Sequence, residues 1–471
     1  MLFEDKVMEE CGVVGVYSTS QEVSKLAFFA LYALQHRGQE SAGIASLDGT
    51  EMNLFTSMGL VSQAIHGDDL LQLKGDKAIG HTRYSTTGSS NIRNAQPLIS
   101  EGPEIKIALA HNGNVVNAKD IREELIQWGC NFSSGSDSEI IANLITHCPY
   151  TSWSERISYM MRKLKGAYSL TILTEKGIIG IRDPLGVRPL CVGNLNEGFI
   201  LASESCALDN LGAKFIREIE PGEAVLINEN GIQTIFKSTE KNCNSCIFEH
   251  IYFARPDSIL DDQLVYHSRM LMGAELAKEH PVDADFVIGI PDSATAAAVG
   301  YSQESGIPYS EGLVKNRYVG RTFIQPDQKL RDLGVKTKLN PLTDLISGKR
   351  LVVVDDSIVR GTTTPHVVKL LKNAGVSEIH LRITAPPIKF PCQLGIDMAT
   401  KKELIASNMS TEEICNFVGA DSLGYLSLEG LMKTMNKPSS EYCTGCFTGN
   451  HPVPFQLELF KNSHFSYLKS P

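Results

Sequence analysis

The chain has 471 residues, 42% of them hydrophobic and 21% charged, with a formal net charge of −10. That length exceeds one ordinary core and predicts two large domains of a globular protein. The acidic balance argues against a nucleic-acid-binding surface, and no apolar run approaches the roughly 18 residues of a membrane helix.

In chain order, the opening MLFEDKVMEE carries acids and no hydrophobic region, unlike a secretory signal, which predicts a cytoplasmic protein. Cys11 follows, directly before Gly12 and a β-branched run. Leu26, Phe29, Ala30 and Ala33 recur at helical spacing and predict a helix over 22–35. YSLTILTEKGIIGIRDPLGVRPLCVG alternates β-branched runs with Gly, Pro and Asp, as antiparallel strands do, and EAVLINENGIQTIF predicts a hairpin closing at Asn230 and Gly231. KSTEKNCNSC then turns polar and reads as a linker. Beyond it, ADFVIGIPDSA and RLVVVDDSIVRGTTTPHVVKLLKNAG each read as strand, loop, helix, the grammar of a parallel α/β sheet.

LVVVDDSIVRGTTT carries the clearest chemistry. An apolar run over 351–354 predicts a strand buried on both faces, ending at Asp355 and Asp356. Thr364 and Pro365 predict a helix start, Val367, Val368, Leu370 and Leu371 its inner stripe, and Gly375 its end. Backbone N–H groups and hydroxyls at the positive end of that helix can hold a phosphate. The run resembles the phosphoribosyltransferase signature. The resemblance implies that Asp355 and Asp356 contact the ribose hydroxyls of phosphoribosyl pyrophosphate, and that Ser357, Arg360, Gly361, Thr362 and Thr363 bind its 5′-phosphate. It further implies Mg²⁺ at the pyrophosphate near Ser293, Asp355 and Asp356, with few protein ligands. VKNRYVGRTFIQP, with Lys315, Arg317 and Arg321, is similar to a loop that closes over pyrophosphate.

Four segments follow Cys11 in a set order: LQHRGQESAGI, GHTRYSTTG, AHNGNVVN and SDSEII. Together they resemble the class II glutamine amidotransferase domain, an N-terminal-nucleophile hydrolase. The chain from Cys11 to about residue 455 then resembles the amidophosphoribosyltransferase family. The implied fold is an α+β N-terminal-nucleophile sandwich followed by an α/β type I phosphoribosyltransferase domain with a parallel sheet. Its expected organisation is a propeptide over 1–10, the glutaminase over 11–236, a linker over 237–250 and the transferase over 251–471.

Removing the propeptide would give Cys11 a free α-amino group with a pKa near 8, roughly, able to take the thiol proton without a catalytic His. By the same resemblance Arg83 holds the glutamine α-carboxylate and Asp137 its α-ammonium, while Asn112 and the Gly113 N–H form the oxyanion hole. The implied reaction transfers ammonia from L-glutamine through an internal passage to phosphoribosyl pyrophosphate, yielding 5-phosphoribosylamine in purine synthesis. A homotetramer inhibited by purine nucleotides is also implied. Neither a sugar-phosphate isomerase nor an amide synthetase paired with the same glutaminase needs the phosphoribosyl loop, and a purely regulatory protein needs no nucleophile.

Of the eleven cysteines, Cys130, Cys148, Cys191, Cys206 and Cys415 stand singly and read as small buried hydrophobes in a reducing compartment. Cys243, Cys246, Cys443 and Cys446 form two C-x-x-C pairs that suit tetrahedral zinc. Resemblance to the iron–sulfur subtype instead implies a 4Fe–4S cluster on Cys246, Cys392, Cys443 and Cys446, leaving Cys243 over.

Overall fold

The computed structural model describes residues 11–20, 22–84, 91–239, 243–316, 339–396 and 400–453. The expected leader, Arg317 and Arg321, and the end of the GHTRYSTTG segment lie outside them.

The first half is a sandwich of two antiparallel sheets. One sheet has the order β11-β9-β10-β1-β4-β2-β3, in which β1 is Gly12–Ser18, β2 Ser41–Asp48, β3 Glu51–Met58, β4 Lys77–Arg83, β9 Cys191–Leu195, β10 Gly198–Ala202 and β11 Lys214–Glu218. The other has the order β13-β12-β8-β7-β6-β5, with β5 Leu98–Glu101, β6 Lys106–Val115, β7 Gly166–Thr174, β8 Gly177–Arg182, β12 Glu223–Asn228 and β13 Gly231–Lys237. Alternate residues of the strands point inward, so Val13, Leu47, Ile79, Ala108, Ala110, Ile178 and Leu201 form the core between the sheets. Helix Val23–Ala33 covers the outer face of the first sheet, and helices Ala118–Gln127, Asp137–His147 and Trp153–Lys163 cover the second. The result is the four-layered helix–sheet–sheet–helix arrangement expected of the first half.

Two expectations are adjusted by this packing. Helix Val23–Ala33 buries Ala27, Ala30, Leu31 and Ala33, whereas Phe29 is 50% exposed and stands outside the stripe. The hairpin between β12 and β13 pairs Asn228 with Gly231, so Glu229 and Asn230 make the two-residue turn and Gly231 already belongs to the strand.

The second half centres on a parallel sheet, β17-β20-β21-β22, formed by Phe286–Gly289, Arg350–Asp355, Glu378–Ile383 and Ser422–Tyr425. Helices Val265–Glu279 and Thr295–Ser305 pack on one face, and helices Thr364–Asn373 and Thr411–Val418 on the other. Both faces being covered explains the unbroken apolar run of β20, whose Leu351, Val352, Val353 and Val354 are all fully buried. Short pairs complete the half: β15 (Ile259–Leu260) with β16 (Gln263–Leu264), and β18 (Leu313–Lys315) with β19 (Leu339–Pro341). A further parallel pair joins β14 (Ser245–Cys246) to β23 (Tyr442–Cys443). The two halves share apolar packing, because Ala167 and Val187 of the sandwich lie in one cluster with Phe248, Leu394, Ile396 and Phe447. Among the described residues no helix is long and apolar enough to cross a membrane.

Candidate active sites

Cys11 immediately precedes β1, which lies between β10 and β4 in the centre of its sheet. A residue at the end of a central strand is fixed from both sides, which suits a nucleophile. Its Sγ donates to the Tyr84 carbonyl at 3.4 Å. Burial pushes the thiol up to about 11; the Arg83 charge opposes the rise, and those of Asp137 and Glu40 add to it. At neutral pH Cys11 is therefore protonated, and attack on a carbonyl requires a base to take its proton.

Two of the expected glutamine-handling residues, Arg83 and Asp137, lie close enough to act on that thiol through their charges. Arg83 ends β4 and is buried. Asp137 opens helix Asp137–His147, where Ser136 caps the first turn, and Asp137 Oδ2 accepts the Val115 N–H at 3.1 Å. Burial works against the Asp137 charge, yet His111 and backbone N–H groups outweigh it and lower its pKa. Asn112, on β6, is 1% exposed, and among the described residues neither its Oδ1 nor its Nδ2 has a hydrogen-bond partner. A buried amide left so is costly unless something else fills the space. Gly113 beside it has φ +142°, and an added Cβ would fall 2.0 Å from the Ala167 carbonyl, so only glycine fits.

The phosphoribosyl loop lies where the motif predicts, at the carboxyl end of β20. Asp355 and Asp356 are buried. Both oxygens of Asp356 accept hydroxyls, from Ser293 at 2.6 Å and Ser357 at 2.7 Å, and Asp355 accepts the Asp356 N–H at 2.9 Å. Ser293, Asp355 and Asp356 thus come together as expected. The helix begins at Thr364, so Thr363 precedes its first turn and Pro365 lies inside it, one place later than the sequence suggested. Its buried stripe is Val367, Val368 and Leu371, with Leu370 only partly covered. Arg360 pairs with Glu403 at 3.1 Å, and Lys315 pairs with Asp292 at 2.7 Å, beside Ser293.

The parallel β14–β23 pair sets Cys246 opposite Cys443. Cys246 feels the charges of Cys443 and Cys392, and Cys446 those of Cys443, Cys246 and Cys392, so the four sulfurs share one region. Burial, the leading cause, raises all four thiol pKa values, that of Cys443 to about 11. Cys243 faces elsewhere: its Sγ lies 3.5 Å from Ser245 Oγ, and its charge acts on Lys437 and Tyr442. Among the described residues no three His, Cys, Asp or Glu converge closely enough to hold a single metal ion. Of the five cysteines read as buried hydrophobes, Cys130, Cys148, Cys191 and Cys206 are buried and Cys415 is half-buried.

Comparison with known proteins matches each half of the chain to a domain family. A glutamine amidotransferase domain model matches residues 81–210 and a phosphoribosyl transferase domain model matches residues 262–398. An amidophosphoribosyltransferase of Synechocystis sp. is 50% identical over 455 residues, covering 95% of this chain and 92% of its own. The chain belongs to the amidophosphoribosyltransferase family. A relative from Archaeoglobus fulgidus is 47% identical over 94% of this chain and 98% of its own. The glutamine phosphoribosylpyrophosphate amidotransferase of B. subtilis, solved with ADP and GMP, superposes with a TM-score of 0.89 at 43% identity, over 95% of this chain and 98% of that one.

Sequence reasoning missed a buried charge network beneath Cys11. Arg37, 1% exposed, donates from Nε to the Cys11 carbonyl at 3.1 Å. Its other nitrogens grip Glu249 at 3.0 and 2.7 Å and Glu204 at 2.5 Å. Burial opposes ionisation of Glu204, but His36 and Arg37 overcome it and hold the carboxyl far below its ordinary value. Glu249 opens a π-helical turn, Glu249–Phe253, at the start of the second half. Arg269 is also buried, donates to the His250 and Ala254 carbonyls at 2.9 and 2.8 Å, and feels the charges of Asp356, Glu204 and Glu249. The one available signal was Arg37 itself, inside LQHRGQESAGI.

Proposed function

We propose that this chain releases ammonia from glutamine at Cys11 and joins it to the ribose C1 of phosphoribosyl pyrophosphate. The products are 5-phosphoribosylamine, glutamate and pyrophosphate, in the first committed step of purine (IMP) synthesis. One observation supports the glutaminase assignment: among the described residues the fully buried Asn112 amide has no partner for either polar atom, and it is followed directly by a glycine at φ +142°.

Cleavage of the Glu10–Cys11 bond frees the amine that accepts the thiol proton, and the thiolate attacks the side-chain amide of glutamine. Arg83 and Asp137 hold the two charged groups of the amino acid. Asn112 Nδ2 and the Gly113 N–H receive the oxyanion, first as ammonia leaves and again as water releases glutamate. The released ammonia travels inside the protein, since solvent would protonate it. At the other site Ser357, Arg360, Gly361, Thr362 and Thr363 hold the 5′-phosphate, and Asp355 and Asp356 orient the ribose hydroxyls. Lys315 and Arg321 approach the pyrophosphate. Mg²⁺ would sit near Ser293, Asp355 and Asp356, neutralising pyrophosphate charge while substrate and water supply most of its ligands.

Cys246, Cys392, Cys443 and Cys446 would hold a 4Fe–4S cluster, which would clamp the C-terminal segment without redox turnover. Cytoplasmic location, a homotetramer and inhibition by purine nucleotides complete the proposal; the nucleotide-bound relative supports the last. Cys11→Ala tests the central reading. It should abolish synthesis from glutamine and keep synthesis from concentrated ammonia, whereas loss of both in a folded protein refutes separate sites. Intact mass of active enzyme should begin at Cys11, and purified protein should contain iron and acid-labile sulfide rather than zinc.

A further inference from the structure

Among the described residues, the two edges of the oxyanion strand are paired over unequal lengths. On one side β6 pairs with β7 from Ala108 to Val115, past Asn112 and Gly113. On the other, β5 covers only Lys106 to Leu109. The Gln96 side chain meets the His111 N–H at 2.8 Å, and His81 Nε2 meets the His111 carbonyl at 3.0 Å. Beyond His111 the neighbour comes from the second half of the chain. Asn114 Nδ2 donates to the Gln393 carbonyl at 2.8 Å. Arg188 Nη2 donates to the Leu394 carbonyl. Gly395 lies so close that an added Cβ would be 2.8 Å from Arg188 Nη2, 3.2 Å from the Gly113 carbonyl carbon and 3.4 Å from the Asn114 nitrogen. Leu394 and Ile396 anchor this segment in the apolar cluster shared with Ala167, which faces Asn114 across β7.

We infer that residues 393–395 of the phosphoribosyltransferase half act as a strap that positions the Gly113 N–H for the glutaminase oxyanion. The inference rests on the proposed role of Asn112 and Gly113. An oxyanion donor works only when held within a few tenths of an ångström of its place, and a half-open strand edge does not give that constraint. The strap lies along the edge through the Asn114 bond to Gln393 and the close approach of Gly395 to the Gly113 peptide, and Arg188 holds it at Leu394. None of these contacts reaches substrate, so Gln393, Leu394 and Gly395 are positioning residues. The strap also begins one residue after Cys392, whose Sγ accepts the Leu394 N–H at 3.4 Å. The cysteine site and the oxyanion strand therefore share one short piece of backbone.

The test compares Gly395→Ala, Asn114→Ala and Asn112→Ala in the full-length, mature enzyme. Measured are glutaminase kcat and KM, synthesis from ammonia, and the rate of Cys11 alkylation by iodoacetamide. Gly395→Ala inserts a methyl at φ +107°, against Arg188 and the Gly113 peptide. It should lower glutaminase kcat about 10–100-fold, short of the roughly 10²–10³-fold of a lost donor, with KM, alkylation and ammonia-dependent synthesis near wild type. Asn114→Ala removes the hydrogen bond to the Gln393 carbonyl and should lower kcat about fivefold in the same pattern. Wild-type kcat in both strap variants, with Asn112→Ala impaired, overturns the strap and leaves the oxyanion assignment standing. A parallel fall in alkylation or ammonia-dependent synthesis also overturns it, because that is damage to the fold rather than to one donor. Wild-type kcat in Asn112→Ala overturns the oxyanion assignment and the strap with it.

Discussion

Replacing Arg37 by alanine is the most severe single test of the charge network beneath the nucleophile. The substitution strips three partners at once: both oxygens of Glu249, Oε1 of Glu204, and the Cys11 carbonyl. With Glu204 at 0% and Glu249 at 3% exposure, water cannot take the place of the guanidinium. Breaking a buried pair by removing one partner costs about 3–5 kcal/mol, most of it the charge left behind. For a cooperative unit the size of the sandwich, each kcal/mol lowers Tm by about 2–4 °C, so the expected drop is about 6–20 °C. Scanning calorimetry reads this directly. Arg37→Lys should recover only part of it, because one ammonium cannot serve the planar fork that now faces two carboxylates. Glutaminase activity should fall more than ammonia-dependent synthesis, since the anchored carbonyl belongs to Cys11 itself. A melting temperature within about 2 °C of wild type, with glutaminase kcat unchanged, would refute this account.

Three further outcomes are expected. Glu204 has a folded pKa well below its ordinary 4.5, so its contribution to stability is full above that value and is lost as pH falls through the lower one; urea melts of Glu204→Gln should show a flatter acid limb than wild type. Gly113→Ala drives a Cβ into the Ala167 carbonyl and should lower glutamine hydrolysis at least 10²-fold, roughly, while ammonia still supports synthesis. Asp356→Asn turns an acceptor bound by two hydroxyls into a half-donor, and should depress synthesis from either nitrogen source while glutamine hydrolysis in the absence of phosphoribosyl pyrophosphate persists; equal loss of hydrolysis would count against its assignment to the transferase site.

Local chemistry was readable where one segment carries it. The apolar run of β20, its terminal acids and the helix after the threonines follow one another within the same strand–loop–helix unit, so spacing alone locates them. The helix near the start of the chain has the period and most of the face its sequence predicts: Ala30 and Ala33 pack on the sheet and Leu26 lies against the core, while the bulkier Phe29 turns outward. The resemblance names Cys246 rather than Cys243, but that Cys246 lies opposite Cys443 depends on a strand pair joining segments far apart in the chain, which no local pattern reveals. Arg37, Glu204 and Glu249 lie in three distant segments, and nothing in any one of them reveals that they meet. Gln393 and Gly395 escaped for the same reason, since closeness to Gly113 is created only when the halves pack.

The pairing of Ser245–Cys246 with Tyr442–Cys443 gives synthesis on the ribosome a definite finish line. One member leaves the exit tunnel as the transferase half begins, while its mate emerges only after every strand of the parallel sheet has been translated. Truncated chains therefore lack the tie altogether, however well their sandwich has formed. Translation through Cys443, rather than folding of either lobe, is the event that sets Cys246 opposite its partner cysteine.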